Sequence, residues 1–366
     1  AKFEAGIKSS YVTTDANALY DSLKNGVYVH DYNRSNHFIY KENIHAAYIN
    51  FNKPFSKKIN MQLGLRAEQT VAHGNQATTN ISFDKNYIQL FPTMYLQYSA
   101  NDKNDFVLNY GRRIRRPDYQ SLNPFIEFLD RYTFQQGNPY LQPQFSHNIE
   151  LTHTYRGFLT TTLNYTNTTD IIQEVLEQNS ATNQSYIKEA NIAKQQQYGI
   201  SINAYNKYTK WWSGNIYMNV YNNQFQGIVN NAYVSIGSTT AMFNVSQQFK
   251  FNKGWGADVS GFYMTKSIEG VFTIQPFGMM NLGISKQLLK NKATVKLAVR
   301  DVLHTQTIYG TSKYSTIDAA FHQYNDNRVV SVSFTYRFNK GKLNANVPKR
   351  KKGGADDEIS RIKTGN

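Results

Sequence analysis

The sequence contains no cysteine. Disulfide frameworks, thiol catalysis and zinc-thiolate sites are thereby excluded. No apolar run approaches eighteen residues, so nothing here is suited to cross a bilayer as a helix. That absence does not make the chain soluble, because membrane-crossing strands carry a far weaker hydropathy signal. Apolar residues reach only 40% and mean hydropathy is -0.57, below the globular norm. The opening AKFEAGIKSSYV shows no charged segment followed by an apolar one. No signal peptide is visible, and the chain is expected to open inside a strand. Paired carboxylates at readable spacing, a nucleophile elbow and a phosphate loop are all missing, so neither an enzyme nor a cofactor is expected.

Aromatic residues, by contrast, are abundant at 14%, with 27 Tyr and 22 Phe. Much of the chain alternates apolar and polar residues, the mark of strands with two unlike faces. One run sets Ile59, Met61, Leu63, Leu65 and Ala67 against Asn60, Gln62, Gly64 and Arg66. The last strand shows Val330, Val332, Phe334, Tyr336 and Phe338. About fourteen such strands can be placed, joined by alternating long and short connections, with long loops expected over 73–85, 176–185 and 304–326 among others. Many run past the five or six residues usual for soluble sandwiches, which suits tilted strands crossing a bilayer. An antiparallel sheet in lipid must close or be capped, because unpaired backbone groups there are costly. The expected fold is therefore all-β: a transmembrane antiparallel barrel with one polar and one lipid-facing surface. Trp211, Trp212 and Trp255 all follow short turns, which places an aromatic girdle on the short-turn rim.

The formal charge of +15 raises nucleic-acid binding. Lys and Arg are spread over strands and loops with no recognition module, so nucleic acid is not expected as a partner. Basic loops facing outer-membrane lipid and lipopolysaccharide account for the charge.

The densest stretch is 111–144, GRRIRRPDYQSLNPFIEFLDRYTFQQGNPYLQPQ. A loop of about thirty residues is unusual in a soluble domain and ordinary outside a membrane barrel. Its Arg112, Arg113, Arg115 and Arg116 offer guanidinium forks suited to carboxylate or phosphate. Pairing with Asp118, Glu127 and Asp130 is the structural alternative, since alternating residues point to opposite sides. Tyr119, Phe125, Phe128, Tyr132, Phe134 and Tyr140 suit either a ligand grip or self-packing of the loop. His147 and His153 share a strand face about 20 Å apart, too far to chelate one ion together.

Several segments together carry a resemblance: Arg112 to Pro117, the Leu122-Asn123-Pro124-Phe125 run, and Gly137-Asn138-Pro139-Tyr140-Leu141-Gln142-Pro143. Tyr40 to Ile44, Gly64-Leu65-Arg66-Ala67-Glu68 and residues 291–297 agree with it. In order and spacing the chain resembles the barrel of TonB-dependent outer-membrane receptors, and more narrowly the receptor-like outer membrane β-barrel family. The resemblance runs to about Lys340. It implies a barrel of roughly 22 strands with a plug in its lumen, importing a scarce small solute. About fourteen strands are present, so the chain reads as a C-terminal portion, with TonB reached only through a missing N-terminal part. The closing Phe334-Thr335-Tyr336-Arg337-Phe338 resembles the strand read by the barrel-assembly machinery. The alternatives are a structural or adhesive barrel without transport, a complete fourteen-stranded channel, and a soluble glycan-binding sandwich. Residues 1–340 form the barrel segment on this reading. Residues 341–366, with Lys349-Arg350-Lys351-Lys352 ahead of Asp356-Asp357-Glu358, form a solvated periplasmic tail.

Overall fold

A computed structural model describes residues 1–338, apart from 33, 180, 230, 231, 315 and 316, and again 360 and 361. The charge blocks expected in the tail lie outside the described residues.

Fourteen strands follow one another in chain order through a single sheet. They are β1 (Lys2–Ala18), β2 (Asn36–Pro54), β3 (Ile59–Gln76), β4 (Ile81–Asn101), β5 (Asn104–Arg115), β6 (Gln144–Tyr155) and β7 (Leu159–Asn179). The second half comprises β8 (Gln184–Lys207), β9 (Trp212–Val229), β10 (Ala232–Lys250), β11 (Trp255–Met264), β12 (Phe277–Leu288), β13 (Ala293–Arg300) and β14 (Val329–Tyr336). Each neighbouring pair is antiparallel, as in the β2–β3 ladder from Phe38–Gln76 down to Pro54–Asn60. Among the described residues no ladder joins β14 back to β1.

Alternation sorts the two faces as the sequence implies. On β3, Leu63 and Leu65 lie on the apolar face, both more than 40% exposed, and Arg66, Glu68 and Thr70 lie on the other. One rim is made only of tight reversals. Arg156 and Gly157 (φ 48° and 69°), Lys253 and Gly254 (58° and 77°), and Leu289, Lys290 and Asn291 (51°, 53° and 66°) adopt left-handed backbone there, as tight reversals require. Rings gather along this rim. Trp211 stacks near Phe251, Trp212 on Phe249, and Phe106 on His153, while Lys286 sits 4.7 Å from the Trp255 ring centroid. Amphipathic rings at one level are what a membrane-water interface selects.

The opposite rim departs from expectation. Loops expected over 73–85 and 176–185 are mostly ladder: pairing continues to Gln76–Ile81 and to Asn179–Gln184. Residues 221–229 and 232–242, left unassigned by alternation, complete β9 and β10. These extensions are rich in Gln, Asn and Thr, so no apolar face marked them. Above them the segment expected as one loop over 304–326 holds a hairpin, Thr307–Tyr314 with Ile317–Tyr324. It joins Ser267–Glu269 and Phe272–Ile274 in a separate four-stranded sheet. That sheet packs on the tall strands through Ile171, Val175, Phe225, Val234, Ile268 and Tyr314. The Tyr314 hydroxyl donates to the Leu176 carbonyl at 2.9 Å.

Candidate functional site

β5 and β6 are 12 residues each, flanked by β4 and β7 at 21. The long loop, 116–143, fills the notch they leave. It folds onto the polar face of β2 and β3 and reaches β7 and β8. Tyr119, Leu122 and Leu141 pack with Phe38, Tyr40, Ala72 and Ile172, Leu141 being fully buried. The Tyr119 and Tyr40 ring centroids are 4.9 Å apart. Lys85 Nζ donates to the Leu141 carbonyl. On the far side, Gln142 N donates to Asn191 Oδ1 at 2.8 Å and Asn191 Nδ2 returns a bond to the Gln142 carbonyl at 2.9 Å.

Within the loop, Ile126–Phe128 pairs with Thr133–Gln136 as a small hairpin. Thr133–Gln136 also runs parallel to Ser185–Ile187 of β8. Asp130 closes the hairpin tip, accepting from the backbone of Tyr132 and Thr133 at 2.8 and 2.9 Å. Those bonds, the Tyr132 amide first, hold its carboxyl below the usual range. A Cβ at Gly137 would strike the Asn123 carbonyl oxygen. Both atoms belong to backbone fixed by the loop's own bonds, including Asn138 N to the Ser121 carbonyl at 2.6 Å. Gly137→Ala is therefore expected to spring the loop from the wall. The reading is proteolysis within 116–143, at least about tenfold faster, with the heat-modifiable gel migration of the folded barrel unchanged.

The four candidate arginines play two parts. Arg112 is wedged among strands: its Nη1 donates to the Leu90 carbonyl at 2.7 Å and Nη2 to Gln89 Oε1 at 2.8 Å. Its guanidinium carbon stands 4.6 Å from the Phe145 ring centroid. The Arg116 side chain is largely buried, with Nη2 on Glu68 Oε2 at 3.0 Å and on Thr70 Oγ1 at 2.9 Å. Glu68 Oε1 also forms an ion pair with Arg66 Nε at 3.2 Å. The recorded partner of Arg116 is thus a strand carboxylate forty-eight residues away, outside the loop acids named from the sequence. Arg113 and Arg115 are exposed and face two adjoining cavities. One, about 550 Å³, is lined by Arg66, Glu68, Arg115 and Arg116 among others. The second, about 540 Å³, shares Arg66 and adds Phe91, Arg112 and Arg113.

The aromatic candidates do not gather with them. Tyr119 is buried and holds the loop down. Phe125 lines smaller cavities beside Gln120. Tyr132 and Tyr140 are exposed, and Phe134 stacks on Tyr186 with Phe128 at its edge. Arg66, Glu68 and Phe91, which complete the arginine cavities, were not among the site residues expected from the sequence. Their signal was available: charged residues on the polar face of an alternating strand, level with the loop. His147 and His153 bond separately, to Tyr110 Oη at 3.0 Å and to Asn104 Oδ1 at 2.9 Å. Among the described residues no three acidic or histidine side chains come together to hold a metal.

Comparison with known proteins agrees with this architecture. The family model described as "Outer membrane protein beta-barrel family" matches residues 1–336. No curated protein matches the chain in sequence. Among solved structures it is similar to the ferric yersiniabactin uptake receptor FyuA from Yersinia pestis, with TM-score 0.60 and 14% identity over 91% of this chain and 50% of that one. It is similar to the ferric-catecholate import receptor Fiu from K12 E. coli, with TM-score 0.62 and 11% identity over 92% and 52%. The siderophore receptor PiuA from Acinetobacter baumannii gives 0.62 and 12% over 92% and 53%. The chain spans about half the length of these receptors. At such identities the likeness is one of fold, and the family assignment rests on the full-length match. The chain, a wide antiparallel sheet with one apolar and one polar face, ring-lined on its tight-turn rim, belongs to the outer membrane protein beta-barrel family.

Proposed function

We propose that this receptor barrel imports a scarce small anionic solute, captured at the arginine cavities under the inward-folded loop. The observation that carries the reading is the exposure of Arg113 and Arg115 at those cavities, while Arg112 and Arg116 are bound to the wall. Guanidiniums with no fixed partner among the described residues, in a concave, partly apolar site, are ready donors to carboxylate or phosphate. The loop supports the reading by narrowing the polar side of the sheet at the level of the cavities. In the intact receptor a plug filling the lumen and engaging TonB supplies the energy coupling, through chain outside this sequence.

A strain lacking the gene, grown on single limiting iron, cobalamin or glycan sources, is expected to lag on one of them and to recover on complementation. Arg113→Ala with Arg115→Ala should then raise the solute concentration for half-maximal uptake at least about tenfold, the loss of one or two charge-assisted contacts. Equal growth on every source would replace transport with an adhesive or structural role.

A further inference from the structure

Glu42 lies on the polar face of β2 and is 2% exposed. A carboxylate so deeply buried must be compensated, because an unpaired buried ion is strongly unfavourable. Its compensation comes from the far end of the chain. Arg361 presents a fork, Nη1 to Oε2 at 2.5 Å and Nη2 to Oε1 at 3.2 Å. The same guanidinium donates from Nε and Nη2 to the Pro117 carbonyl, at 3.2 and 3.0 Å. Its carbon stands 4.4 Å from the Tyr119 ring centroid. Tyr40 and Tyr119 hydroxyls donate to the two carboxylate oxygens at 3.2 and 3.4 Å. Carboxylate, carbonyl and ring face thus meet three separate features of one guanidinium. An ammonium has no planar fork and no flat face to match them.

We propose that Glu42, Pro117 and Tyr119 form a guanidinium-binding site on the inner wall. Its ligand is Arg361 of this chain's own C-terminal segment, which is latched beside the arginine cavity. Ser360 and Arg361 line that cavity, so the latch forms part of the wall of the space assigned above to solute. The reach is sufficient. β14 ends at the short-turn rim, and twenty-two residues, 339–360, separate Phe338 from Arg361. They can extend to about 75 Å, whereas Glu42 stands twelve strand residues from Pro54, about 40 Å. Pairing of Arg361 with Glu42 also fixes the height of the loop, because Pro117 and Tyr119 are shared between them.

Absence of cysteine lets a nitroxide be placed at Ser360→Cys alone, on an exposed position. In the full-length protein the label is expected to show an immobilised spectrum. Arg361→Gln, Arg361→Lys and Glu42→Gln should each lower the ratio of immobilised to mobile label at least about tenfold. N-acetylarginine amide at tens of millimolar (a concentration chosen to compete with a tethered ligand) should mobilise it, and N-acetyllysine amide should not. A mobile label in the parent, or one still immobilised in Arg361→Gln, would overturn the latch. Equal release by both amides would overturn the guanidinium assignment. Arg361 lies outside every barrel ladder, so its variants decide the question even where Glu42→Gln fails to fold.

Discussion

Glu68→Ala is expected to lower the unfolding free energy by about 3–5 kcal/mol, measured by urea titration of the protein refolded into lipid vesicles. Glu68 compensates two guanidiniums at once, Arg116 at 3.0 Å and Arg66 at 3.2 Å. The side chains of Arg116 and Glu68 are each 12% exposed, so solvent screens that pair little. Among the described residues, removing the carboxylate leaves Arg116 with Thr70 Oγ1 as its remaining acceptor, and its Nε already has no hydrogen-bond partner. Arg66 is half exposed and rehydrates at small cost, so the loss belongs to Arg116. Arg116→Met in the same chain should therefore restore much of the stability, since an apolar isostere often replaces a buried pair without penalty. A change below about 1 kcal/mol in the single variant would place Arg116 in water and remove it from the wall.

The second large effect is local. Leu141→Ala empties a fully buried position between loop and wall, a cost of about 2–5 kcal/mol for such truncations. That energy holds the loop down and does not hold the ladders together, so the loop opens before the sheet unfolds. Amide exchange over 116–143 is expected to quicken by roughly 30-fold to several thousand-fold, the same energy expressed as an opening equilibrium. The β2–β3 ladder should keep its protection. Uniform acceleration across both would mean that the loop and the sheet form one cooperative unit.

The sheet was legible in the sequence because a two-residue period survives wherever one face meets lipid. Val330 to Phe338 and Ile59 to Ala67 are plain examples, and the three tryptophans marked the tight-turn rim. Where both faces of a ladder meet water, as in Thr166–Gln197 or Gln178–Ser185, the pattern has nothing to alternate. Of those tall extensions, 73–85 and 176–185 were accordingly read as loops, and the others were left unassigned. The arginine stretch stood out by composition, yet its fate turned on Glu68 and Glu42, which lie forty-eight and more residues away. Charge partners at such separations are set by register, and register comes from the assembled sheet. Arg361 was legible only as part of a charged tail, since nothing local distinguishes a stacked guanidinium from a hydrated one.

The height of β7 and β8 has a last consequence. Their lipid-facing residues end near Tyr165, and the tip at Asn179–Gln184 lies about fourteen residues further along, roughly 45 Å of strand. Tilted as barrel strands are, the tip stands some 35 Å above the hydrocarbon. A large body approaching the cell touches this parapet long before it touches the arginines, while a small anion of the kind proposed above can pass it. The parapet and the arginine cavities are built from different residues, so substitutions in one leave the lining of the other intact.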